Sequence, residues 1–236
     1  MFSFNNVRVI SWNCCLPPWS VTRRKRLPHI VSFLLKQKPD VICLQEVFFT
    51  RDAEFITNAL SDRGLAYSFH QKDLLILSRL PLTESVGYKF ESQGSLFSLA
   101  FFDKLYGKGF QVVNIKKDDK FITIANTHLL SAYALDAEVY QKVRLEQVSE
   151  ITHALTRFNY PKIITGDFNF QPHTNPYNLM LDKGYRDIFY STAENTLKKR
   201  RLDYIFSSEL IIPKHPKLVE PEDVSDHKIL LSVWDV

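Results

Sequence analysis

Five strand-like segments of the sequence end beside a carboxylate, a carboxamide or an imidazole. The residues are Asn13, Glu46, His128, Asp167 with Asn169, and Asp226 with His227. A buried strand has no structural need for such a terminus. A site that holds a hard divalent cation and hydrolyses a phosphate ester does need these groups. The pattern therefore predicts metal-dependent phosphoester hydrolysis.

Glu46 is the strongest metal-ligand candidate. It follows the apolar run Val41–Gln45, so we expect its carboxylate to be half buried, which is costly unless a cation compensates the charge. Mg²⁺ uses few protein oxygens and takes the rest from water and phosphate, and Asn13 offers a neutral amide oxygen. Judged alone, Glu46 is equally well a carboxylate at a surface edge, and Asn13 is more simply a turn residue.

Asp167 and Asn169 lie two apart on an extended segment and therefore project to the same side. One of them can orient a water molecule while the other donates its amide to a phosphoryl oxygen. Gly166-Asp-Phe-Asn is also a common composition for a tight turn. His128 can donate hydrogen bonds to developing negative charge, although a lone histidine at a strand end is more often structural.

His227 titrates near neutrality and can accept a proton from water when a neighbouring group fixes its tautomer. Asp226, its neighbour, and Asp203 are the two carboxylates that can do so. Because adjacent strand residues point to opposite sides, we expect one of them to brace His227 and the other to face the metal or the water.

The 236 residues, 45% hydrophobic and without a linker or repeat, predict one domain over residues 1–236. Strand-like and helix-like segments alternate around a strand-rich middle, which predicts two mixed β-sheets packed face to face with helices outside. The expected strands are Val7–Asn13, Val41–Val47, Leu74–Ser78, Ser95–Phe101, Phe110–Ile115, Phe121–Asn126, Lys162–Asn169, Arg201–Ser207 and Lys228–Trp234. The expected helices are Arg24–Gln37, Asp52–Arg63, Ala137–Phe158 and Pro176–Lys183.

Much of the basic charge behind the net +4 lies in two runs, Arg23–Arg26 and Lys198–Arg201. Such runs are more often solvated faces than binding sites, but they favour an anionic partner. Three cysteines without a CxxC spacing argue against a disulfide-built domain. Because a signal-peptide pattern and an apolar run of roughly 20 residues are both missing, we expect a cytoplasmic protein; signal-independent export leaves no recognisable trace.

Six short motifs, taken in order, resemble the endonuclease/exonuclease/phosphatase superfamily. They are Ser11-Trp12-Asn13, Leu44-Gln45-Glu46-Val47, Asn126-Thr127-His128, Gly166-Asp167-Phe168-Asn169, Leu202-Asp203-Tyr204 and Ser225-Asp226-His227. The resemblance runs from about Val7 to the C-terminus. It implies an α/β fold, the four-layered DNase I-like sandwich, and magnesium-dependent cleavage of a phosphoester.

The resemblance also implies roles for the motif residues. Asn13 and Glu46 would hold Mg²⁺, for which Mn²⁺ can substitute, with Asp226 as a further ligand to the metal or to water. His227 would be the general base, with Asp203 behind it. The remaining three would act on the reacting groups: Asp167 by positioning the water, and Asn169 and His128 by stabilising the transition state.

Within the superfamily the chain is similar to the neutral sphingomyelinase branch. The similarity rests on Asn13-Cys14-Cys15 before a basic run, on Thr127-His128-Leu129, and on a helix that carries Arg144 and Gln147. Phe102–Phe110 is similar to the Gly-Lys-Gly segment of that branch, which makes Lys108 a candidate substrate ligand. Arg144 is a second candidate, or else marks the polar edge of its helix.

The substrate class stays open at this stage between a phospholipid headgroup and nucleic acid, because basic runs favour either. Aromatic residues between Tyr88 and Phe110 slightly favour a phospholipid and a peripheral membrane contact, since exposed rings partition into an interface. The same rings serve equally well as the core of a sheet. The complete set of polar residues argues against a non-catalytic module that kept the fold. We expect a monomer.

Overall fold

The computed structural model describes residues 6–93, 106–131, 140–192, 194–211 and 213–235. Within them, strands and helices form two six-stranded sheets with helices outside. The strands are β1 Asn6–Leu16, β2 Val41–Val47, β3 Tyr67–Gln71, β4 Leu74–Ser78, β5 Leu82–Lys89, β6 Gly109–Lys117, β7 Lys120–His128, β8 Lys162–Asp167, β9 Tyr185–Asp187, β10 Asp203–Ser208, β11 Pro213–Val219 and β12 Ile229–Asp235. The α-helices are α1 Arg23–Lys36, α2 Thr50–Ser61, α3 Gln141–Ala154 and α4 Asn175–Asp182.

Each sheet is mixed and has one parallel pair near its centre. The first sheet has the order β11-β12-β1-β2-β4-β3, with β1 parallel to β2. The second has the order β5-β6-β7-β8-β10-β9, with β7 parallel to β8. The strands that flank these pairs, β12, β4, β6 and β10, run antiparallel to them.

Three hydrophobic clusters establish the layer order. One joins α1 and α2 to the outer face of the first sheet, through residues such as Ile30, Ile56 and Leu44. Another joins α3 and α4 to the outer face of the second sheet. The third contains residues of both sheets, among them Val9 and Ile124, and therefore lies between them. This is the four-layered α/β sandwich that the sequence predicts.

Period-two alternation decides which side chains face the space between the sheets. On β1, Val7 and Val9 face inward and Ile10 and Trp12 face α1 and α2. Continuing the alternation puts Ser11 and Asn13 inward, and both are buried. The interior thus changes from apolar to polar along each central strand. The polar part begins with a hydrogen bond between the two sheets, in which Gln45 Nε2 on β2 donates to Asn126 Oδ1 on β7 at 2.7 Å.

The structure confirms the predicted elements that lie in the described residues and adds four strands. These additional strands are β3, β5, β9 and β11. β5 is mostly exposed, and β11 carries Pro213 and Pro216 on the edge of its sheet, where a missing N–H is tolerated. The expected strand Ser95–Phe101 lies outside the described residues.

Of the two alternatives left open for the aromatic residues between Tyr88 and Phe110, two rings follow the second and belong to the core. Phe90 and Phe110 are both 2% exposed, and the Phe110 ring stacks on that of Tyr88 with centroids 4.5 Å apart. These rings pack between the second sheet and its helices, so for them the core alternative holds and the lipid-surface alternative does not. Within the described ranges, no helix is long and apolar enough to cross a membrane.

Candidate active site

The predicted site residues converge on one edge of the sandwich because of strand direction. The parallel pairs end there, which brings Asn13, Glu46, His128 and Asp167 to that edge. Strands antiparallel to them begin at the same edge. Asp203 starts β10, His227 precedes β12, Lys108 precedes β6 and Asp73 precedes β4.

Asn13 connects two carboxylates at the centre of this edge. Its Nδ2 donates to Glu46 Oε1 at 3.1 Å and to Asp167 Oδ2 at 3.0 Å. One nitrogen serves both, so the two carboxylate oxygens lie within about 6 Å of each other. Asn13 Oδ1 accepts from the Cys15 N–H at 2.9 Å. To present that oxygen to a cation, the amide must turn over.

Glu46 reaches the site because the backbone departs from the strand pattern. Alternation would put Glu46 on the outer face with Ile42 and Leu44, which pack against the helices. Its φ of +61° lies in the left-handed region, which is uncommon for residues other than glycine. This turn lets the half-buried carboxylate contact the inward-facing Asn13.

Asp203 fixes the orientation of His227. His227 Nδ1 lies 2.8 Å from Asp203 Oδ2 and 3.1 Å from Oδ1, so the Nδ1–H donates to the carboxylate and Nε2 faces the site. Of the two carboxylates expected to brace His227, Asp203 is the one in contact. Thr196 Oγ1 accepts the Asp203 N–H at 3.1 Å, which anchors the start of β10.

The pKa of His227 is raised above its ordinary value. Burial lowers this pKa, but the carboxylate of Asp203, through charge and hydrogen bond, and then those of Asp167 and Asp226 raise it by more. The protonated imidazole that forms when His227 accepts a proton is therefore stabilised by its surroundings.

Asp167 lies between two imidazole edges. Its Oδ2 is 4.0 Å from His227 Nε2 and 3.7 Å from His128 Nε2, distances that leave room for a bridging water or a phosphoryl oxygen. Asn169, at φ +51°, donates its backbone N–H to Asp167 Oδ1 at 3.0 Å and one amide hydrogen to Leu129 O at 3.2 Å. The amide carries a second hydrogen for an acceptor in the site.

Asp73 is a residue of the site that the sequence analysis missed. It is 3% exposed, and its Oδ2 lies 3.0 Å from Lys108 Nζ and 2.8 Å from His128 Nδ1. Burial raises the pKa of Asp73, but Lys108 and His128 outweigh burial and hold that pKa well below its usual range. The signal for it in the sequence is a carboxylate immediately before the buried strand Leu74–Ser78.

Lys108 and Arg144, the candidate substrate ligands, both have structural contacts. Lys108 is buried, and its Nζ is 2.7 Å from His128 Nδ1 as well as bound to Asp73. Arg144 is buried and donates from Nη1 to the Leu130 carbonyl at 3.1 Å, just past His128. Contact of either with substrate stays a prediction.

Asp226 is exposed. Burial, then the charges of Glu46 and Asp226 and a hydrogen-bonding contribution from Asp226, raise the pKa of Cys15 to about 12. Asp226 is therefore near the Glu46 side of the site, as a further ligand to metal or water requires.

The donor set fits a hard divalent cation. Carboxylates of Glu46 and Asp167 converge on a single amide nitrogen, and Asp167, Asp203 and His227 present ligand atoms within 4.8 Å of one another. Because His227 Nδ1 and Asp203 bind each other, we assign that pair to orientation and the Glu46–Asp167 side to the cation. Oxygen ligands of this kind are those that Mg²⁺ prefers.

Comparison with known proteins agrees with this geometry. The model of the Endonuclease/Exonuclease/phosphatase family matches residues 10–227. An inositol phosphosphingolipids phospholipase C of Schizosaccharomyces pombe is 31% identical over 75% of this chain and 44% of its own length. A putative neutral sphingomyelinase of Drosophila melanogaster is 27% identical over 70% of this chain and 39% of its own. The chain thus spans less than half the length of these relatives.

Solved structures share the fold at low sequence identity. A Staphylococcus aureus beta toxin variant with bound magnesium ions superposes with a TM-score of 0.79 at 19% identity, covering 98% of this chain and 100% of the toxin chain. A humanised D. rerio TDP2 gives a TM-score of 0.77 at 17% identity, covering 98% and 100%. Both likenesses support the fold alone.

Proposed function

Because the chain belongs to the Endonuclease/Exonuclease/phosphatase family, we propose that it is a magnesium-dependent phosphodiesterase acting on a phospholipid headgroup. The observation that carries the reaction class is the position of His227. Asp203 holds its Nδ1, and its Nε2 points to Asp167 Oδ2 across 4.0 Å. That gap suits a water molecule that His227 deprotonates while Asp167 orients it.

The remaining polar groups have complementary tasks in this reaction. His128, polarised through the Asp73–Lys108 pair, directs Nε2 towards the same space and can donate to phosphoryl oxygen. Burial and the Lys108 charge lower the pKa of His128, but its hydrogen bond to Asp73 and the charges of Asp73 and Asp167 together raise that pKa above its ordinary value. Asn169 supplies a neutral donor beside it.

Glu46 and Asp167 are the residues we assign to Mg²⁺, with Asp226 nearby and Asn13 after its amide turns over. The bound cation would neutralise phosphate charge and polarise the scissile bond. Asn13 maintains the spacing of the two carboxylates, which in the absence of a cation would repel each other.

Two observations support a lipid substrate. The relatives are a phosphosphingolipid phospholipase C and a putative neutral sphingomyelinase, and the loop after β1 has exposed apolar residues. Trp19 is 65% exposed and Val21 is 94% exposed on this Pro-containing loop. Arg26 anchors its base by donating to the carbonyls of Cys14 and Cys15. Arg24 and Lys25 are exposed beside it. Exposed apolar tips next to basic residues suit an anionic lipid interface.

A nuclease is the alternative, and one observation favours it. The basic turn Lys198–Arg200 is bridged through Leu197 to His227, and Lys198 and Lys199 are exposed. A basic turn next to the general base suits a polyanion whose binding weakens steeply with salt.

The reaction class and the substrate class can be tested together. Purified protein is assayed with Mg²⁺ or with a chelator on sphingomyelin, an inositol phosphosphingolipid, single-stranded DNA and RNA. We expect lipid hydrolysis that the chelator abolishes and that Glu46→Gln lowers by roughly 10²-fold or more through lost metal binding. Glu54→Gln, on the exposed face of α2, is the matched control. Chelator-resistant hydrolysis would refute the metal assignment, and salt-sensitive hydrolysis of nucleic acid alone would refute the lipid substrate.

A further inference from the structure

Arg26 links two segments of the active-site edge that are far apart in the sequence. It lies in the first turn of α1 and is half buried. Nη1 donates to the Cys15 carbonyl at 2.7 Å and Nη2 to the Cys14 carbonyl at 2.6 Å, while Nε donates to the Val224 carbonyl at 2.9 Å. Cys14 and Cys15 belong to the end of β1, whereas Val224 lies in the loop before β12. The guanidinium therefore joins the end of β1 to the loop that carries the general base.

The two carbonyls on β1 lie where the strand departs from regular pairing. The register between β1 and β2 shifts between Asn13 and Leu16, and Cys15 has φ +48°. A bulge of this kind interrupts the ladder hydrogen bonds of a strand, so its carbonyl groups need donors from elsewhere. A planar guanidinium supplies several N–H donors in one fixed fork. Arg26 therefore provides at this bulge the donors that the neighbouring strand does not.

One planar peptide group connects Arg26 to Asn13. The Cys14 carbonyl oxygen accepts from Arg26 Nη2. The N–H of the same peptide group, which belongs to Cys15, donates to Asn13 Oδ1 at 2.9 Å. Because a peptide group is planar and rigid, the position of the guanidinium constrains the direction of this N–H. Asn13 Nδ2 donates to the two carboxylates that we assign to Mg²⁺, so Arg26 acts on the metal side of the site through the Asn13 amide.

The same guanidinium acts on the general-base side through Val224. The next residue, Ser225, donates from Oγ to the Asn13 carbonyl at 2.7 Å and accepts the His227 N–H at 3.2 Å. Trp12 Nε1 donates to the His227 carbonyl at 3.0 Å. The backbone of His227 is thus attached to β1, while its ring is held from β10. Arg26 fixes this loop at the residue where it approaches β1.

We propose that Arg26 is a positioning residue that sets the distance between the metal ligands and the general base. The inference rests on the proposed function. The side-chain hydrogen bonds of Arg26 go to backbone carbonyls, so Arg26 acts through Asn13 and His227 and not on the reacting groups. A residue that only stabilised the fold would change the free energy of unfolding but leave Mg²⁺ binding and turnover by the folded protein unchanged.

Two substitutions separate these roles. Arg26→Lys keeps the positive charge, but a single ammonium group does not reproduce the planar fork that spans both segments. Arg26→Ala removes the charge and the donors. Mg²⁺ affinity is measured by titration calorimetry without substrate, and kcat and KM are measured at saturating Mg²⁺ on the lipid that the wild type hydrolyses fastest. We expect both variants to bind Mg²⁺ more weakly and to have a lower kcat, each by roughly 10-fold or more, as for other residues that orient metal ligands. KM should change less, because the groups that contact substrate are retained.

Chemical rescue distinguishes the donor fork from the charge. Free guanidinium, added to Arg26→Ala well below denaturing concentrations, should occupy the space of the missing side chain and restore part of kcat and of the Mg²⁺ affinity. Equal concentrations of sodium chloride or tetramethylammonium chloride should not, since neither cation has an N–H donor. Rescue by all three salts alike would overturn the proposal, because charge alone would then account for the loss.

Arg79→Ala is the matched control. Arg79 also joins two segments, since it donates to the carbonyls of Pro39 and Arg63, but it follows β4 at the opposite edge of the sandwich. We expect this variant to keep the Mg²⁺ affinity and the kcat of the wild type. Thermal unfolding of all variants is measured in parallel. Folded Arg26 variants whose Mg²⁺ affinity and kcat equal those of Arg79→Ala would overturn the proposal.

Failure of the positioning role and failure of the proposed function give different results. If Arg26→Ala does not fold, Arg26→Lys decides, and unfolding of both would overturn the proposal because the whole fold would then depend on Arg26. A wild type that binds Mg²⁺ but cleaves no phosphodiester would refute the proposed function, and the Mg²⁺ affinities of the variants would still decide the role of Arg26. A phosphodiesterase that is indifferent to both substitutions would refute the positioning role alone.

Discussion

At the scale of single residues, the proposed reaction depends on the His227–Asp203 pair, in which Asp203 contacts His227 Nδ1 at 2.8 Å. His227→Ala should lower kcat by roughly 10²-fold or more, because it removes the imidazole that accepts the proton and that Asp203 orients. Asp203→Asn should cost less, since the base remains and only its orientation and basicity are disturbed. Steady-state kinetics on the preferred substrate measure both. Equal losses, or an active His227→Ala enzyme with intact metal dependence, would assign the general base elsewhere.

Asp73 is the buried carboxylate that contacts both Lys108 and His128. Replacing it by asparagine removes the buried carboxylate 3.0 Å from the Lys108 ammonium, which we expect to lower the free energy of unfolding by roughly 3–5 kcal/mol. The Lys108→Met/Asp73→Leu pair removes both charges and should recover part of that loss. Urea denaturation followed by tryptophan fluorescence gives the values, with Asp119→Asn in the exposed β6–β7 turn as control.

The same carboxylate predicts a dependence on pH. Because the pKa of Asp73 is depressed in the folded protein, its contribution to stability is complete above the unfolded value of about 4 and is lost as pH falls from there towards the folded pKa. The stability gap between wild type and Asp73→Asn should therefore narrow below about pH 4. A gap that widens below that pH would show that Asp73 is not an ionised partner of Lys108.

At the scale of elements, strand periodicity accounts for much of the site. Once the sheets were predicted, alternation alone directs Asn13, His128 and Asp167 inward, because each lies an even number of positions from an apolar core residue. Glu46 departs from that pattern, and the sequence analysis singled it out because its carboxylate follows an apolar run. Its left-handed φ depends on how β2 meets the next loop, which no sequence period encodes.

The close approach of β7 to β8 at Gly166 can be tested by substitution. Gly166 has φ +155°, and a Cβ built on it would lie 2.2 Å from the Thr127 carbonyl oxygen. Gly166→Ala should force the strands apart, separating His128 from the neighbouring Asp167, and so reduce both stability and kcat. Gly184→Ala is the control, since Gly184 has φ +82° but nothing within 4 Å; it should lower stability by about 1 kcal/mol and leave kcat unchanged. Equal effects of the two would contradict the packing argument.

At the scale of the whole molecule, the sequence specified the sandwich but not the contacts between distant segments. Asp73, just before β4, contacts two residues that are distant in the sequence. Lys108, just before β6, is 35 positions away, and His128, at the end of β7, is 55 positions away. No local pattern predicts that pairing. The aromatic residues near Phe110 were ambiguous for a related reason: exposed rings and core rings have the same composition, and only the tertiary packing separates them.

At the scale of the whole molecule, the proposed lipid substrate also predicts which surface would face a membrane. Trp19 and Val21 project from the same edge as Asn13, whereas Leu210, 76% exposed, follows β10 at the opposite edge. If the active-site edge faces the bilayer, Trp19→Ser/Val21→Ser should weaken binding to anionic vesicles by about 10-fold or more through lost apolar burial. Leu210→Ser removes a similar exposed side chain and should bind as wild type does.

Vesicle flotation measures binding, and hydrolysis of detergent-dispersed lipid, which needs no docking, should be preserved in both variants. Binding should also fall as salt rises, because Arg24 and Lys25 contribute electrostatically. Equal flotation of the two variants would mean that another face of the protein meets the lipid.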